Sequence, residues 1–463
     1  MRRFPHNPGA CAALLIAAFA LSACAGSGPD PLREFVGAPA RVVWCQQVDE
    51  GSDDPLGRTD RFRLMGYDSE DGRGQRVILG QVRNYRKPLL SPDGATIVFS
   101  DWGERRFYAV DWSGDNLRPL GTGMAVDVWQ DPATGHQWVY AITKEYYWQR
   151  FRGTDLRRFR LDDPAISEPV WDQTVVSADN FQLSRDGRMA GGVFPWPNGA
   201  VADLQTGTLS ARGRGCWASL APDNSYIYWL FDGAHRNLLF FGPDGSSRWR
   251  VNISQAPGIE GHEVYHPRWS NHRRFFAMTG PYTIQGHGPN AIHGGGDDVE
   301  IYLGRFSSDL RAVETWLKLT DNNRGDFFPD LWVAPVEEVE AIPETTVEAE
   351  ADGADAVHAV EIEATLLEVT PTPDPASIEP YRDALVFHTY RVERVLAGSL
   401  THERLLVGHW GIRDAERVPV PDEVGQRLTL RIGPLEAFPD LEGERQLIEV
   451  RELTLPAYVE IGE

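Results

Sequence analysis

The chain has 463 residues, which is too long for one ordinary domain and predicts two. Its 45 Gly, 32 Pro, 15 Trp, 14 Tyr and 20 Phe are typical of many short strands joined by turns. The formal net charge of −22 indicates a well-solvated surface and argues against nucleic acid as a partner, because phosphate binding needs a basic surface.

The N-terminus has the pattern of an export signal. The basic Met1-Arg2-Arg3 precedes a short apolar segment over residues 11–23. The next motif, Leu21-Ser22-Ala23-Cys24, resembles the lipobox of bacterial lipoproteins. The resemblance implies that residues 1–24 form the signal peptide and lipobox, and that Cys24 bears a diacylglycerol and an amide-linked acyl chain such as palmitate. An ordinary signal peptide cut after a small residue is the alternative.

The residues after Cys24 indicate where the protein is held. Ala25 follows the cysteine, which resembles the sorting pattern of outer-membrane lipoproteins. The resemblance implies a membrane anchor in the bacterial envelope, at the outer membrane and facing the periplasm or the exterior. Residues 25–39, rich in Gly, Ser and Pro, predict a flexible tether.

Two further cysteines remain in the exported part of the chain. Cys45 and Cys216 could form a disulfide in an oxidising compartment, or they could be two buried thiols. The sequence gives no distance between them, so both readings stay open.

A repeated turn motif organises residues 40–335. Its clearest copy is Ser91-Pro92-Asp93-Gly94, followed by an apolar strand, and looser copies lie near Ser184, Ala221 and Ser270. Pro sets φ, Asp caps the turn and Gly supplies positive φ, so each copy predicts a strand, a tight turn and a second strand. Copies about 40 residues apart predict the four-stranded blades of a β-propeller.

The last copy of the repeat is incomplete. Residues 327–333 resemble the start of a blade, but the pattern stops at Ala334-Pro335. We interpret this segment as a closing strand that completes the first blade and removes exposed sheet edges. The fold class is therefore predicted as all-β, with a six-bladed propeller over residues 40–335 and seven blades as the alternative.

These repeats resemble the TolB-type, WD-repeat-like propellers of bacterial periplasms. Proteins of this kind serve as interaction scaffolds, as receptors or as non-catalytic domains, so the resemblance implies protein binding in the envelope but does not name a partner. No Gly-x-Ser-x-Gly elbow, P-loop or Rossmann fingerprint accompanies the repeats.

One motif matches a zinc peptidase by its letters. His262-Glu263-Val264-Tyr265-His266 has the HExxH spacing, which works only when both histidines share one helical face. Pro267 favours extended geometry at His266, and in a strand the two histidines would lie about 13 Å apart. We therefore predict a strand here and no metal site.

The propeller channel is the candidate ligand-binding site. In this fold the strand before each turn is the innermost, so residues just before the turns approach the channel mouth. Aromatic, amide, carboxylate and imidazole groups there suit a sugar or a peptide; the alternative is that these groups pair with one another inside the channel. The candidate ligand-binding residues are Tyr85, Asp127, Asn180, Trp217, His266, Arg268 and Asp326. No catalytic residue, metal ligand or cofactor is predicted.

A linker and a second β domain complete the chain. Residues 336–357 contain eight Asp or Glu and no Lys or Arg, which predicts an extended acidic linker. Residues 358–463 alternate apolar and polar side chains in several segments and predict a small β-barrel or sandwich. Within them, Tyr390 to Gly398 resembles one strand of netrin-type, OB-like barrels, although the cysteines of that family are missing.

Three functions fit these features. The first is a lipid-anchored, monomeric binding or scaffold protein of the cell envelope, whose channel mouth recognises a glycan or a protein. The second is a metal-dependent polysaccharide lyase or hydrolase, because several histidines fall within one or two blades. These are His235, His262, His266, His272, His287 and His293. The third is a structural partner of an envelope assembly that docks through its C-terminal barrel.

Overall fold

The computed structural model describes residues 30–50, 61–143, 152–153, 156–178, 180–282, 298–335 and 359–462. Six four-stranded antiparallel sheets are followed by one larger, closed sheet. This confirms the prediction of an all-β chain with six propeller blades and a small barrel, rather than seven blades or a sandwich. A search of these residues finds no helix that is long and apolar enough to cross a membrane.

The four strands of each blade run in order from the channel to the rim. Blade 1 consists of Asp326–Val333, Ala40–Gln47, Phe62–Asp68 and Arg76–Arg83. Blade 2 consists of Tyr85–Leu90, Thr96–Asp101, Arg106–Asp111 and Arg118–Thr122. Blade 3 consists of Met124–Gln130, Gln137–Ile142, Leu156–Arg160 and Ser167–Trp171. A short ladder between blades 3 and 4 pairs Arg152–Gly153 with Val176–Ser177.

The other three blades follow the same plan. Blade 4 consists of Phe181–Leu183, Met189–Val193, Asn198–Asp203 and Thr208–Arg214. Blade 5 consists of Cys216–Leu220, Tyr228–Phe231, Asn237–Phe241 and Arg248–Asn252. Blade 6 consists of Glu263–Trp269, Phe275–Tyr282, Glu300–Phe306 and Val313–Lys318.

The two ends of the propeller segment close the ring together. The innermost strand of blade 1, Asp326–Val333, pairs antiparallel with the first strand, Ala40–Gln47, so that Val42 faces Leu331. The interpretation of residues 327–333 as a closing strand is therefore correct. Because the sheet is completed from both ends, the inner edge of blade 1 is paired rather than exposed.

The repeated turn also joins neighbouring blades. Gly94 adopts φ +70°, and a Cβ atom there would lie 2.6 Å from the Trp332 ring of blade 1. The Trp332 indole donates a 2.8 Å hydrogen bond to the carbonyl of Pro92 in the same turn. Glycine is thus needed both for the backbone conformation and for the close approach of the neighbouring blade. Gly187 and Trp129 repeat this contact between blades 4 and 3.

A short helix, Pro31–Val36, precedes the first strand. Asp30 caps it by accepting hydrogen bonds from the N–H groups of Leu32 and Arg33, and Gly37 ends it with φ 79°. Leu32 is fully buried, and Phe35 packs edge-on against Phe275 of blade 6. The expectation of a flexible tether over 25–39 is therefore wrong from Asp30 onwards, because the apolar face of this helix is buried on the propeller.

The C-terminal domain is a closed barrel of five strands with two short additions. In order around the barrel, the five are Arg404–Arg413, Ala457–Glu460, Arg427–Pro434, Val360–Glu368 and Ala384–Ala397. The additions are Glu416–Arg417 and Arg445–Leu447, and the helical turns are Pro375–Ile378, Leu435–Ala437 and Pro439–Glu442. The linker predicted over 336–357 lies entirely outside the described residues.

Cys45 and Cys216 are both buried, and neither forms a disulfide. Of the two alternatives left open by the sequence, the structure has the two buried thiols. Burial raises the pKa of the Cys45 thiol far above its ordinary value, which keeps this side chain neutral and unreactive.

Candidate functional site

Four side chains from different blades meet in the channel. The Lys87 ammonium lies 4.6 Å from the centre of the Trp217 ring, which is 4.7 Å from the His266 ring. The His266 ring lies 4.2 Å from that of Phe328. Lys87 and Trp217 belong to blades 2 and 5, which stand opposite each other in a six-bladed ring, so they can touch only across its axis. We call Lys87, Trp217, His266 and Phe328 the mouth layer.

A shared backbone distortion places these four residues. Lys87, Trp217, His266 and Phe328 all have positive φ, between 44° and 55°. The strand pairing shifts register at the same point in their blades. Such a bulge turns one side chain out of the normal alternation of a strand, at a cost in backbone energy. Because it recurs in four blades, the bulge is a regular part of how this propeller lines its channel.

A second layer lies nearer the turns and is built around one guanidinium. Arg268 of blade 6 donates to Asp330 of blade 1 at 3.0 Å and to Asp127 of blade 3 at 2.8 Å. It also donates to the amide oxygen of Asn180, beside blade 4, at 3.3 Å. We call these four residues the axial cluster. Because blades 6 and 3 are opposite, the cluster crosses the channel and closes it with side chains of the protein itself.

The two carboxylates of the axial cluster also tie neighbouring blades together. Asp127 accepts the backbone N–H of Leu183 at 2.9 Å, and Asp330 accepts that of Leu90 at 2.8 Å. Burial raises the pKa of Asp127 to about 6 and also raises that of Asp330, while the charge of Arg268 opposes both shifts. The cluster is therefore held by buried charges that depend on one another.

Nearby charges and burial also determine the protonation state of His266. The pKa of its imidazole lies well below the usual value, because burial disfavours the charged ring and Lys87 and Arg86 repel it. Its Nδ1 atom lies 2.9 Å from the hydroxyl of Thr279. His266 is therefore a neutral, oriented ring, which suits packing and hydrogen bonding better than ion pairing.

The structure brings together five of the seven residues proposed from the sequence. Trp217 and His266 are in the mouth layer, while Asp127, Asn180 and Arg268 are in the axial cluster. The mutual pairing that we considered as the alternative therefore describes the inner part of the channel. Whether the mouth layer binds a ligand stays a prediction.

Tyr85 and Asp326 make their closest contacts within or between blades, and Tyr85 also shares an apolar cluster with Phe328. Tyr85 packs edge-on against Phe99, with the ring centres 5.1 Å apart. Asp326 accepts the Trp44 indole at 2.7 Å and the Gln46 amide at 2.9 Å. Both residues begin their strands ahead of the bulge, so the strand alternation directs them towards the sheets. A ligand-binding role for Tyr85 and Asp326 stays a prediction.

Sequence reasoning missed Lys87, Phe328 and Asp330. A signal for the first two was present, because Lys87 and His266 both stand four residues before the serine of a turn motif, and both precede a proline. Phe328 has the same position before Trp332, which replaces that serine. Aligning the repeats by this position would have found the mouth layer.

Asp326 forms a buried pair of acids with Glu300. The Asn322 side chain donates to Asp326 at 2.7 Å, and the Asn322 backbone N–H donates to Glu300 at 2.7 Å. Glu300 is 3% exposed and Asp326 is fully buried. Burial is the main cause that raises the pKa of both carboxyls, to about 8 for Glu300 and about 6 for Asp326.

Glu300→Gln should stabilise the protein in alkaline solution. A carboxyl whose folded pKa is raised contributes stability below its unfolded pKa and loses it as pH rises through the folded value. We expect the variant to melt about 2–4 °C above wild type at pH 8.5 and no higher than wild type at pH 5. Thermal unfolding followed by circular dichroism at both pH values measures this. Equal melting temperatures at pH 8.5 would contradict it.

The HExxH letters do not form a zinc site. Glu263 starts the innermost strand of blade 6, as the strand prediction requires, and its side chain is buried. It accepts from Arg445 of the barrel at 2.7 Å and lies 3.0 Å from Nδ1 of His235. Within the described ranges, no three His, Cys, Asp or Glu side chains lie close enough to hold a metal ion. His287 and His293 lie outside those ranges.

The barrel packs on the mouth side of the propeller at blades 4 to 6. The Tyr381 ring contacts Trp196 of blade 4 edge-on at 5.0 Å. Its hydroxyl lies 3.2 Å from Nε2 of His235 and 3.8 Å from the sulfur of Cys216, both in blade 5.

Residues from the barrel share one apolar cluster with the propeller. They are Ile378, Ala384, Val386, Ile412 and Leu447, packed with Tyr265, Tyr282, Phe327 and Phe328.

A buried ion pair fixes this interface. Arg445 is fully buried and donates to Glu263, while its other amino group donates to the carbonyl of Gly233 at 3.0 Å. The Arg445 charge lowers the pKa of Glu263 to about 2, against the effect of burial. The barrel is therefore part of the wall around the mouth rather than a freely hanging module.

Comparison with known proteins assigns no family to this chain. No family model matches it, and no curated protein matches it. Among solved structures, TolB from Acinetobacter baumannii is 13% identical over 66% of this chain and 70% of its own, with a TM-score of 0.42. A putative TolB from Agrobacterium tumefaciens is 14% identical over 65% and 99%, with a TM-score of 0.40. An oligogalacturonate lyase in complex with manganese is 17% identical over 41% and 52%, with a TM-score of 0.28.

Proposed function

We propose that this chain is a lipid-anchored binding or scaffold protein of the bacterial cell envelope, whose channel mouth recognises an envelope glycan or protein. The mouth layer is the observation that supports this. An indole, an imidazole, a phenyl ring and an ammonium meet above a channel that the axial cluster closes. Such a set offers an aromatic stacking face to a partner that rests on the mouth without passing through.

Trp217 is the residue of this layer best placed to meet a partner. It is half-buried, whereas His266 is 3% exposed and Lys87 is 9% exposed. Its ring is held between the Lys87 ammonium and the His266 imidazole, so its orientation is fixed before a partner arrives. A fixed aromatic face binds with little loss of side-chain entropy.

The anchor belongs to the same proposal. Cys24, which the lipobox resemblance makes the lipidated residue, lies outside the described part of the chain. The helix Pro31–Val36 is packed on the propeller, so only a short stretch separates Cys24 from the folded domain. A lipid at Cys24 would therefore hold the propeller close to a membrane, which fits a protein that acts on envelope components.

Trp217→Ala is expected to weaken partner binding at least about tenfold. The experiment uses the form that lacks residues 1–24, first on a glycan array and in a pull-down from envelope extract, and then in titrations with each captured partner. The matched control is Trp410→Ala, a half-buried tryptophan on the barrel. A partner that binds both variants as tightly as wild type would refute the mouth as its site.

The lyase or hydrolase alternative has no support in the described residues. It was suggested by a run of histidines, but His235 and His266 are engaged with protein groups in separate places. Within the same residues, no observation places a substrate-cleaving group beside the mouth layer. We therefore do not propose it as a second function.

A further inference from the structure

A cleft of about 350 Å³ lies between blade 5 and the barrel, away from the mouth layer. Residues within 232–237 and 250–255, together with Gly261, form its propeller wall, and residues 434–436 and 453–458 form much of its barrel wall. This volume is in the range of pockets that hold small molecules, and such pockets are often found between domains.

One buried cation in the wall of this cleft, Arg236, is held by carbonyl groups. It is 6% exposed, and its Nε and Nη1 atoms donate to the carbonyls of Gly261 at 2.6 Å and Ala234 at 3.4 Å. In the part of the chain that the structure describes, no carboxylate lies within ion-pair distance of it. No group among the described residues accepts a hydrogen bond from its remaining amino group, Nη2. A buried guanidinium that is held only by carbonyl groups is costly, so it suggests an anionic ligand.

The carboxylates nearest to Arg236 are already engaged. Asp232 accepts the backbone N–H groups of Arg236 and Asn237 and the side-chain amide of Asn237. Glu263 is held by Arg445 and His235. Both carboxylates favour the charged form of Arg236 from a distance, while burial lowers its pKa. Arginine keeps its charge in proteins, so Arg236 is a buried cation for which the described residues provide no ion-pair partner.

The other residues that line the cleft limit which anions can bind in it. Glu442 also lines the cleft, but it is paired with both Arg248 and Arg250. Glu436 adds a further negative charge, which disfavours a doubly charged group such as phosphate. On the barrel wall, the Tyr458 hydroxyl lies 3.2 Å from Nδ1 of His402, and Leu453 offers apolar surface.

We propose that this cleft binds a small ligand bearing one carboxylate, which Arg236 anchors through a charge-assisted hydrogen bond. The size and mixed walls suit a sugar acid or the C-terminal residue of a peptide, which share the carboxylate. The ligand would touch both domains at once, so it would also hold the barrel on the propeller. This site goes beyond the mouth proposal and does not depend on it.

The test uses the form lacking residues 1–24 and two pairs of probes in calorimetric titrations. One pair is D-glucuronate and D-glucuronamide, and the other is the peptide Ala-Leu-Ala with a free or an amidated C-terminus. We expect at least one free carboxylate to bind at least about tenfold more tightly than its amide, because only the carboxylate pairs with a guanidinium. The pair that shows this difference identifies the source.

Three variants locate the binding. Arg236→Lys keeps the charge but loses the planar fork and should weaken carboxylate binding about tenfold. Arg214 pairs with Glu444 at the domain interface, outside the cleft. The variant Arg214→Lys should therefore bind the carboxylate as tightly as wild type. Leu453→Trp fills the cleft from the barrel side, leaves Arg236 in place and should abolish binding even if Arg236→Lys fails to fold. As a further control, Trp217→Ala in the mouth layer should leave this binding unchanged.

Two results would overturn the proposal. One is that neither free carboxylate binds wild type more tightly than its amide. The other is that Leu453→Trp, or a folded Arg236→Lys, binds the carboxylate as tightly as wild type. Neither result would bear on the mouth layer, whose own test uses different probes and a different variant.

Discussion

Arg268→Met is expected to lower the free energy of unfolding by about 3–5 kcal/mol, because it leaves two buried carboxylates facing each other without a cation. Asp127 and Asp330 are 6% and 7% exposed, so water cannot replace the guanidinium. They belong to blades 3 and 1, and the loss would therefore loosen contacts across the whole channel. Chemical denaturation of the form lacking residues 1–24 gives the free energy directly.

The defect of Arg268→Met should also depend on pH. In wild type the pKa of Asp127 is already raised to about 6, so stability is lost as pH rises from its unfolded value through that range. Removing Arg268 raises this pKa further and extends the loss to higher pH. The destabilisation should thus be larger at pH 8 than at pH 5. An equal loss at both values would mean that the carboxylates are not responsible.

A compensating variant supplies the control for this prediction. Asp127→Asn and Asp330→Asn, combined with Arg268→Met, remove all three charges. The asparagine oxygens can still accept the backbone N–H groups of Leu183 and Leu90. We expect the triple variant to be more stable than Arg268→Met alone, since the buried uncompensated charge is gone.

Arg445→Met is expected to release the barrel from the propeller at a cost of about 3–5 kcal/mol. Glu263 would remain buried at the interface beside His235, and the pKa of that histidine is lowered chiefly by burial, which the substitution leaves in place. A neutral imidazole cannot replace the lost guanidinium charge. Because the folded pKa of Glu263 is near 2, the pair contributes stability above the unfolded pKa and loses it as pH falls towards 2.

Two measurements would show that the barrel of Arg445→Met is released from the propeller. Calorimetric unfolding should change from one transition towards two, and limited proteolysis between the domains should become faster. Arg451→Met is the control, because its side chain is 91% exposed and it should behave as wild type. A variant that keeps a single transition at the wild-type temperature would show that the apolar cluster around Tyr381 holds the interface without the ion pair.

The repeat was enough to predict the ring, because its signal is local. Pro, Asp and Gly at fixed spacing specify a turn, and the apolar runs beside it specify strands. The incomplete copy at residues 327–333 even predicted the closure that pairs Val42 with Leu331. The extended path at Glu263 was predicted for the same reason, because Pro267 constrains the neighbouring backbone.

The site was predicted less well because it depends on backbone detail. A bulge moves side chains to the other face of a strand, and nothing local in a single copy announces it. Lys87 and Phe328 were therefore missed. The contact of Arg445 with Glu263 joins residues far apart in the chain and in different domains. No pattern within either segment predicts such a pairing.

The pairing of Ala40–Gln47 with Asp326–Val333 has a kinetic consequence. On the export route that we propose, the first strand emerges long before its closing partner is available. During that interval the inner edge of the first blade has unsatisfied backbone groups and can pair with another chain. The folded ring can form only after residue 333 has crossed the membrane, whereas the barrel, over residues 359–462, can follow later. A periplasmic chaperone that covers extended strands would have its greatest effect in this window.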